Sequence, residues 1–256
     1  MPYNERSMNT PCMQAYIQSI EAIHLDCQIG KLTGDLNIPP NARGIVLFAH
    51  GSGSSRMSPR NQFVAAKLNE AGFATLLLDL LTPEEEAVDE KVCHLRFNIP
   101  MLAGRLGLAV NWIKANTRLA GLPIGLFGAS TGSAAAIICA AENRRHISAV
   151  VSRGGRPDLA GRYLTSLRAP ILLIVGGADA PVIELNEAAM EKMRCEHKIL
   201  RIPGATHLFQ EPNALERVAH LATQWLLLRL TNAPADATAG SSYTAEAESE
   251  NQYRNL

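Results

Sequence analysis

The chain has 256 residues, and its 24 Lys+Arg are balanced by 24 Asp+Glu, so the formal net charge is zero. That length suits one large α/β domain with a substantial core, and the charge balance implies no basic face, so nucleic acid is not an expected partner. Hydrophobic residues make up 47% and charged residues 19%, ordinary for a globular protein in water. No apolar run has transmembrane length, so no membrane partner is expected. The first twenty residues are polar and carry no signal-peptide core. Cys12, Cys27, Cys93, Cys139 and Cys195 are scattered without C-x-x-C spacing. Such a set reads as reduced thiols in a cytoplasmic protein, with neither a disulfide framework nor a metal site.

In chain order, residues 1–21 read as a loose N-terminal segment and residues 22–230 as the folded domain. Residues 231–256, rich in Ala, Ser, Thr, Glu and Asn, read as a disordered polar tail. Within the domain, strands are expected at 24–30, 32–37, 44–49, 74–78, 124–127, 149–152, 171–175 and 198–202. The first two suggest an antiparallel hairpin. From 44–49 onward the runs are apolar nearly throughout, as strands buried on both faces must be. Helical periodicity occupies 60–71, 100–118, 131–142, 183–194 and 215–230, with Asn213 as a cap for the last. Residues 82–98 are charged and irregular and read as a short loop or partial helix over the sheet edge. The alternation defines an α/β fold, a mostly parallel sheet of eight strands flanked by helices.

Gly128-Ala129-Ser130-Thr131-Gly132 is a G-x-S-x-G pentapeptide between the apolar run at 123–127 and the small, apolar run at 133–141. Strand, sharp turn and helix are the context that lifts a serine out at the carboxyl edge of a sheet. Glycines on both sides leave room for the turn. A serine hydroxyl is a weak nucleophile at neutral pH, so it needs a base, a group that orients the base, and donors for an oxyanion. Each is found further along or back in the chain. His50-Gly51-Ser52-Gly53-Ser54-Ser55 follows the apolar strand 44–49, where small residues let backbone approach a substrate. The amides of Ser52 and Thr131 are the expected oxyanion donors, and His50 is expected to hydrogen-bond within its loop. Asp179 follows the apolar strand 171–175, with Asp158 as a rival acid one strand earlier. His207 follows the last strand and precedes the last helix.

The order Ser130, Asp179, His207, together with HGSGSS at 50–55, GASTG at 128–132, GGAD at 176–179 and GATHLF at 204–209, resembles the α/β-hydrolases. Within them it is most similar to the dienelactone hydrolase-like proteins, over roughly residues 22–230. Some bacterial relatives with similar segments are fused to a phosphoribosyltransferase-like domain, to which nothing here corresponds. The resemblance implies nucleophilic attack by Ser130 on an acyl carbonyl. His207 then acts as base, Asp179 as its orienting acid, and no metal or organic cofactor takes part. True dienelactone hydrolases use a cysteine nucleophile, and Ser130 stands in its place, so their substrate is not carried over.

The connection from 153 to 169, where hydrolases of this fold often insert a cap, is short. That suits a small-molecule ester or lactone. Thioester, amide and acyl-transfer chemistry use the same groups, and a ligand sensor on the same scaffold is the alternative of a different class. Arg56, Arg153 and Arg156 lie near the expected site, the last two in the loop after the strand 149–152. Each is a candidate for gripping a substrate anion with its guanidinium fork. The competing reading is an ion pair, for example with Asp79 or Asp158.

Overall fold

The computed structural model describes residues 20–230. Eight strands form one sheet: β1 (Glu21–Cys27), β2 (Gly30–Asn37), β3 (Ile45–Ala49), β4 (Ala74–Leu78), β5 (Ile124–Ala129), β6 (Ile147–Arg153), β7 (Ile171–Gly176) and β8 (His197–Ile202). Their spatial order is β1-β2-β4-β3-β5-β6-β7-β8. The β1–β2 hairpin joins β4 antiparallel, and every other pairing is parallel. This is the α/β-hydrolase architecture, and its parallel strands end along one edge.

Burial explains the sequence pattern. β3, β4, β5 and β7 are buried at every residue because helices cover both faces. In the edge strand β1 only Ile23 and Leu25 are buried, and they alternate with exposed neighbours. One face packs α3 (Ile99–Ala115), α4 (Thr131–Glu142) and α5 (Ala180–Met190) over a core that includes Leu47, Leu76, Leu126, Val150 and Leu173. The other packs α1 (Pro59–Glu70) and α6 (Ala214–Arg229) over Val46, Phe48, Phe127, Val151 and Ile174. All residues of α4 from Thr131 to Ala141 are buried. Its run of small side chains lets that helix lie close against the sheet.

Several boundaries differ from the sequence reading. The hairpin turn falls at 28–29 and β2 begins at Gly30, whose φ of +87° explains why a glycine ends the turn. Residues 82–98 are largely helical: α2 (Pro83–Val92) is followed by a 3-10 turn at Leu95–Phe97. Thr82 and Glu85 start α2 with reciprocal side-chain-to-backbone hydrogen bonds, a complete capping box. Asn213 does stand at the head of α6, but in left-handed conformation (φ 61°) and with no capping hydrogen bond from its side chain. α5 starts directly after Asp179, three residues before its expected start. Arg153 is the last residue of β6, not part of the loop beyond it. The segments 1–19 and 231–256, read above as loose and disordered, lie outside the described residues.

Candidate active site

Ser130 joins β5 to α4 with φ 50° and ψ −124°, a conformation that a residue with a side chain adopts only when its surroundings impose it. Two glycines make it possible. A Cβ on Gly128 would lie 2.4 Å from Ser133 Cα, and one on Gly132 would lie 2.4 Å from the carbonyl oxygens of Ala49 and His50. The elbow is tied to the neighbouring strand from both sides. The Ser130 amide donates to Arg153 O, and the Arg156 amide donates to Ser130 O, each at 3.1 Å.

The acid and the histidine arrive on adjacent strands. The Gly177 amide donates to Ile202 O at 2.8 Å and the Ala178 amide to Ala205 O at 2.9 Å, so the turn after β7 is sewn to the loop after β8. Gly176 allows this approach: a Cβ there would lie 2.4 Å from Ala205 O. His207 Nδ1 consequently sits 2.8 Å from Asp179 Oδ2. With the Nδ1 proton donated to the carboxylate, Nε2 is left with its lone pair, the state a general base needs. Asp158 is elsewhere, holding Arg156 through two hydrogen bonds at 2.8 and 2.9 Å. Ser130 Oγ and His207 share no hydrogen bond among the described residues, and nucleophile–base contacts of this kind tighten when substrate binds.

Of the two amides expected to hold an oxyanion, that of Ser52 is already engaged. The Ser52 amide donates to Thr131 Oγ1 at 2.8 Å, which pins the loop after β3 to the first residue of α4. The Thr131 amide, at that first position, has no intrahelical acceptor. His50 fixes the same loop from below. The Leu80 amide donates to its Nε2 at 3.0 Å, so the ring proton is on Nδ1, which donates to Gly51 O at 2.9 Å. Burial lowers the His50 pKa, against the opposing hydrogen bond to Gly51, and keeps the ring neutral. A recess lined by Gly51, Ser52, Leu81, Asp89, Arg96 and Leu102 adjoins this loop. α2 and the turn after it form its wall, a feature the sequence reading missed. The capping box at Thr82–Glu85 was the available signal.

The three arginines separate. Arg56 is engaged with Asp79 and Asp35, and Arg156 with Asp158. Arg153 is 8% exposed, and its Nη1 is buried with no hydrogen-bond partner. Asn186 of α5, which the sequence did not single out, donates to Gly155 O at 2.9 Å and holds the loop that follows Arg153.

Sheet order, elbow and loop positions together define an α/β-hydrolase fold. The chain belongs to the dienelactone hydrolase family, whose model matches residues 32–250. The crystal structure of a dienelactone hydrolase from Anabaena variabilis superimposes with a TM-score of 0.81 at 52% identity, covering 83% of this chain and 99% of that one. Est1E from Butyrivibrio proteoclasticus shares the fold, with a TM-score of 0.68 at 20% identity over 81% of this chain and 98% of its own. A Mycobacterium tuberculosis protein named "Putative phosphoribosyl transferase Rv0571c" is 54% identical over 196 residues. That match covers 77% of this chain but only 43% of the longer relative. No helix among the described residues is long and apolar enough to cross a membrane.

Proposed function

We propose that this chain is a serine hydrolase that cleaves small carboxylic esters or lactones through an acyl-enzyme on Ser130. His207 takes the hydroxyl proton as Ser130 Oγ attacks the carbonyl carbon, and Asp179 holds the ring and stabilises the imidazolium. The Thr131 amide receives the oxyanion, joined by the Ser52 amide once its hydrogen bond to Thr131 Oγ1 is given up. His207 returns the proton to the leaving alcohol, then activates the water that releases the acid. The reading is carried by the strained Ser130 at the strand–helix junction beside a His207–Asp179 pair closed to 2.8 Å. Family membership supports it. No cofactor enters this chemistry.

An apolar substrate body is supported by four exposed side chains, Met57, Phe97, Leu159 and Leu208. They lie on the connections after β3, β4, β6 and β8, around the edge that carries Ser130. The short connection after β6 is a 3-10 segment, Pro157–Thr165, without an inserted cap domain, which favours small or partly exposed esters. Thioesters, amides and acyl transfer remain open to the same groups. A cytoplasmic location belongs to the same reading, supported by the free thiols of Cys27, Cys93, Cys139 and Cys195. The test is turnover of short p-nitrophenyl esters beside matched thioesters and anilides. Wild type is expected to prefer the esters, and His207→Ala to lose at least about 1,000-fold in kcat/KM. Ester turnover undiminished in that variant contradicts the proposal.

A further inference from the structure

α3 lacks the charged outer face of an ordinary surface helix. Its inner stripe, which includes Leu102, Leu106, Val110 and Ile113, is buried in the core against the sheet. A helix covered on one side only turns charged and polar residues outward, as α1 does with Lys67 and Glu70 and α6 with Glu216 and Arg217. The outward positions of α3 are instead Pro100, Met101, Gly104, Gly107, Leu108 and Asn111, and no charged side chain reaches its surface before Lys114 in the last turn. The other charged residue of the helix, Arg105, is buried and paired with Glu85.

Two of the outward positions are glycine, the poorest helix former after proline, and the packing of the chain itself requires neither. A Cβ on Gly104 would meet nothing within 4 Å, and one on Gly107 would meet only Asn143 Nδ2, at an ordinary 3.8 Å. Bare backbone on the outside of a helix permits the close approach of another element. Met101, Gly104 and Leu108 follow at i, i+3 and i+7 and so form one line along the helix. That line is one wall of an open groove of about 520 Å³, and Cys27 and Ile29 at the tip of the β1–β2 hairpin form the other. Ile29 is 62% exposed and Leu108 39%; nothing among the described residues covers them.

We propose that this face is the interface of a two-fold dimer, in which α3 of a second copy enters the groove and crosses α3 antiparallel beside Gly104. The face is complementary to itself. With the axis beside Gly104, Met101 of each copy meets Leu108 of the other, and glycine at the crossing lets the two backbones come close. Ile29 on the hairpin tip closes against the incoming helix. The line carries no charge, so a second copy meets neither like-charge repulsion nor an ion to strip of water. The single buried pair that borders the groove, Arg105 with Glu85, is already satisfied within each copy.

The proposal is independent of the hydrolase reading, and its test needs no turnover. The molar mass of the full chain is measured by analytical ultracentrifugation over a dilution series, for wild type, Met101→Arg, Leu108→Glu and Gly104→Gln, with circular dichroism to confirm that each variant is folded. Wild type is expected to sediment at twice the chain mass and to dissociate on dilution. Met101→Arg and Leu108→Glu each place two unpaired charges in the contact and are expected to raise the dimer Kd about 100-fold or more. Mixed in equal amounts, these two variants are expected to associate again, because the introduced charges then face each other at one contact while the other keeps Met101 against Leu108. Gly104→Gln has free space within one copy and a better helix former than glycine, so it is expected to fold normally and to weaken association about tenfold or more. A wild type that stays monomeric at the highest concentration overturns the proposal in favour of a different partner for α3. A dimer that persists in all three variants overturns it too, since the contact then lies elsewhere. A dimer broken by each charge and not restored by mixing overturns the antiparallel crossing.

Discussion

Two arginines of this molecule are buried to nearly the same degree, Arg105 at 7% and Arg153 at 8% exposure, yet their surroundings are opposites. Arg105, on α3, is fully compensated: it donates to the Leu80 carbonyl and is paired with the buried carboxylate of Glu85 on α2. Burial raises the Glu85 pKa, but hydrogen bonds from Arg105 and Thr82 outweigh that and hold it below its ordinary value. That cluster ties the β4–α3 connection to the sheet and so builds the wall beside the Ser52 loop. Arg153, on the opposite face of the sheet, is in no ion pair among the described residues, and the charge of Arg60 adds to burial in pushing its pKa down to about 10. A buried charge completed by its own chain is architecture. Arg153 lacks that completion among the described residues: its Nη1 is buried without a hydrogen-bond partner.

Breaking the first cluster should have the largest effect on stability. Glu85→Gln strands the Arg105 charge and is expected to lower the unfolding free energy by about 3–5 kcal/mol, read from chemical denaturation. A change under half a kcal/mol would place Glu85 in solvent. The pair's contribution also has a pH signature. The folded-state pKa of Glu85 lies below its ordinary 4.5, so the contribution is complete above that pH and is lost as pH falls below it toward the folded value.

The contrast predicts the opposite sign for Arg153. Arg153→Met removes a cation that has no partner among the described residues and is expected to raise stability by about 1–4 kcal/mol, read from chemical denaturation. A loss of stability there would mean that Arg153 is compensated as Arg105 is. Smaller again, Thr82→Ala removes the cap of α2 and is expected to lower stability by about 1 kcal/mol, with a rise in KM as the wall of the recess loosens. The gentlest effect concerns His50. Its folded pKa is lowered from 6.5, so the unfolded chain binds the proton more readily. Stability should decline as pH falls below about 6.5 toward the folded value, and His50→Gln should flatten that decline in a pH series of thermal melts.

The sequence made the parallel core legible because buried strands such as β3 and β7 are apolar throughout, whereas turns around them carry glycine. The elbow was legible for the same reason: only glycine fits at 128 and 132, where a Cβ would strike backbone. Asp179 and His207 were legible by their place after particular strands. α2 was harder, since Pro83-Glu84-Glu85-Glu86 shows no apolar face and its stability comes from a cap and an ion pair with a helix twenty residues away. The contrast between the arginines was not legible at all. Arg56, Arg153 and Arg156 look alike in one dimension, and which has a carboxylate beside it depends on pairings between distant elements. Arg60 carries no local signal, being one more charged residue at the start of a helix.

The activation of Ser130 as a nucleophile is decided by fluorophosphonate labelling read by intact mass, wild type against Ser130→Ala. The wild type is expected to take one covalent adduct and the folded variant none, with the loss of p-nitrophenyl ester turnover. An adduct and turnover that persist in Ser130→Ala, or a folded wild type that takes no label and turns over no ester, would contradict it.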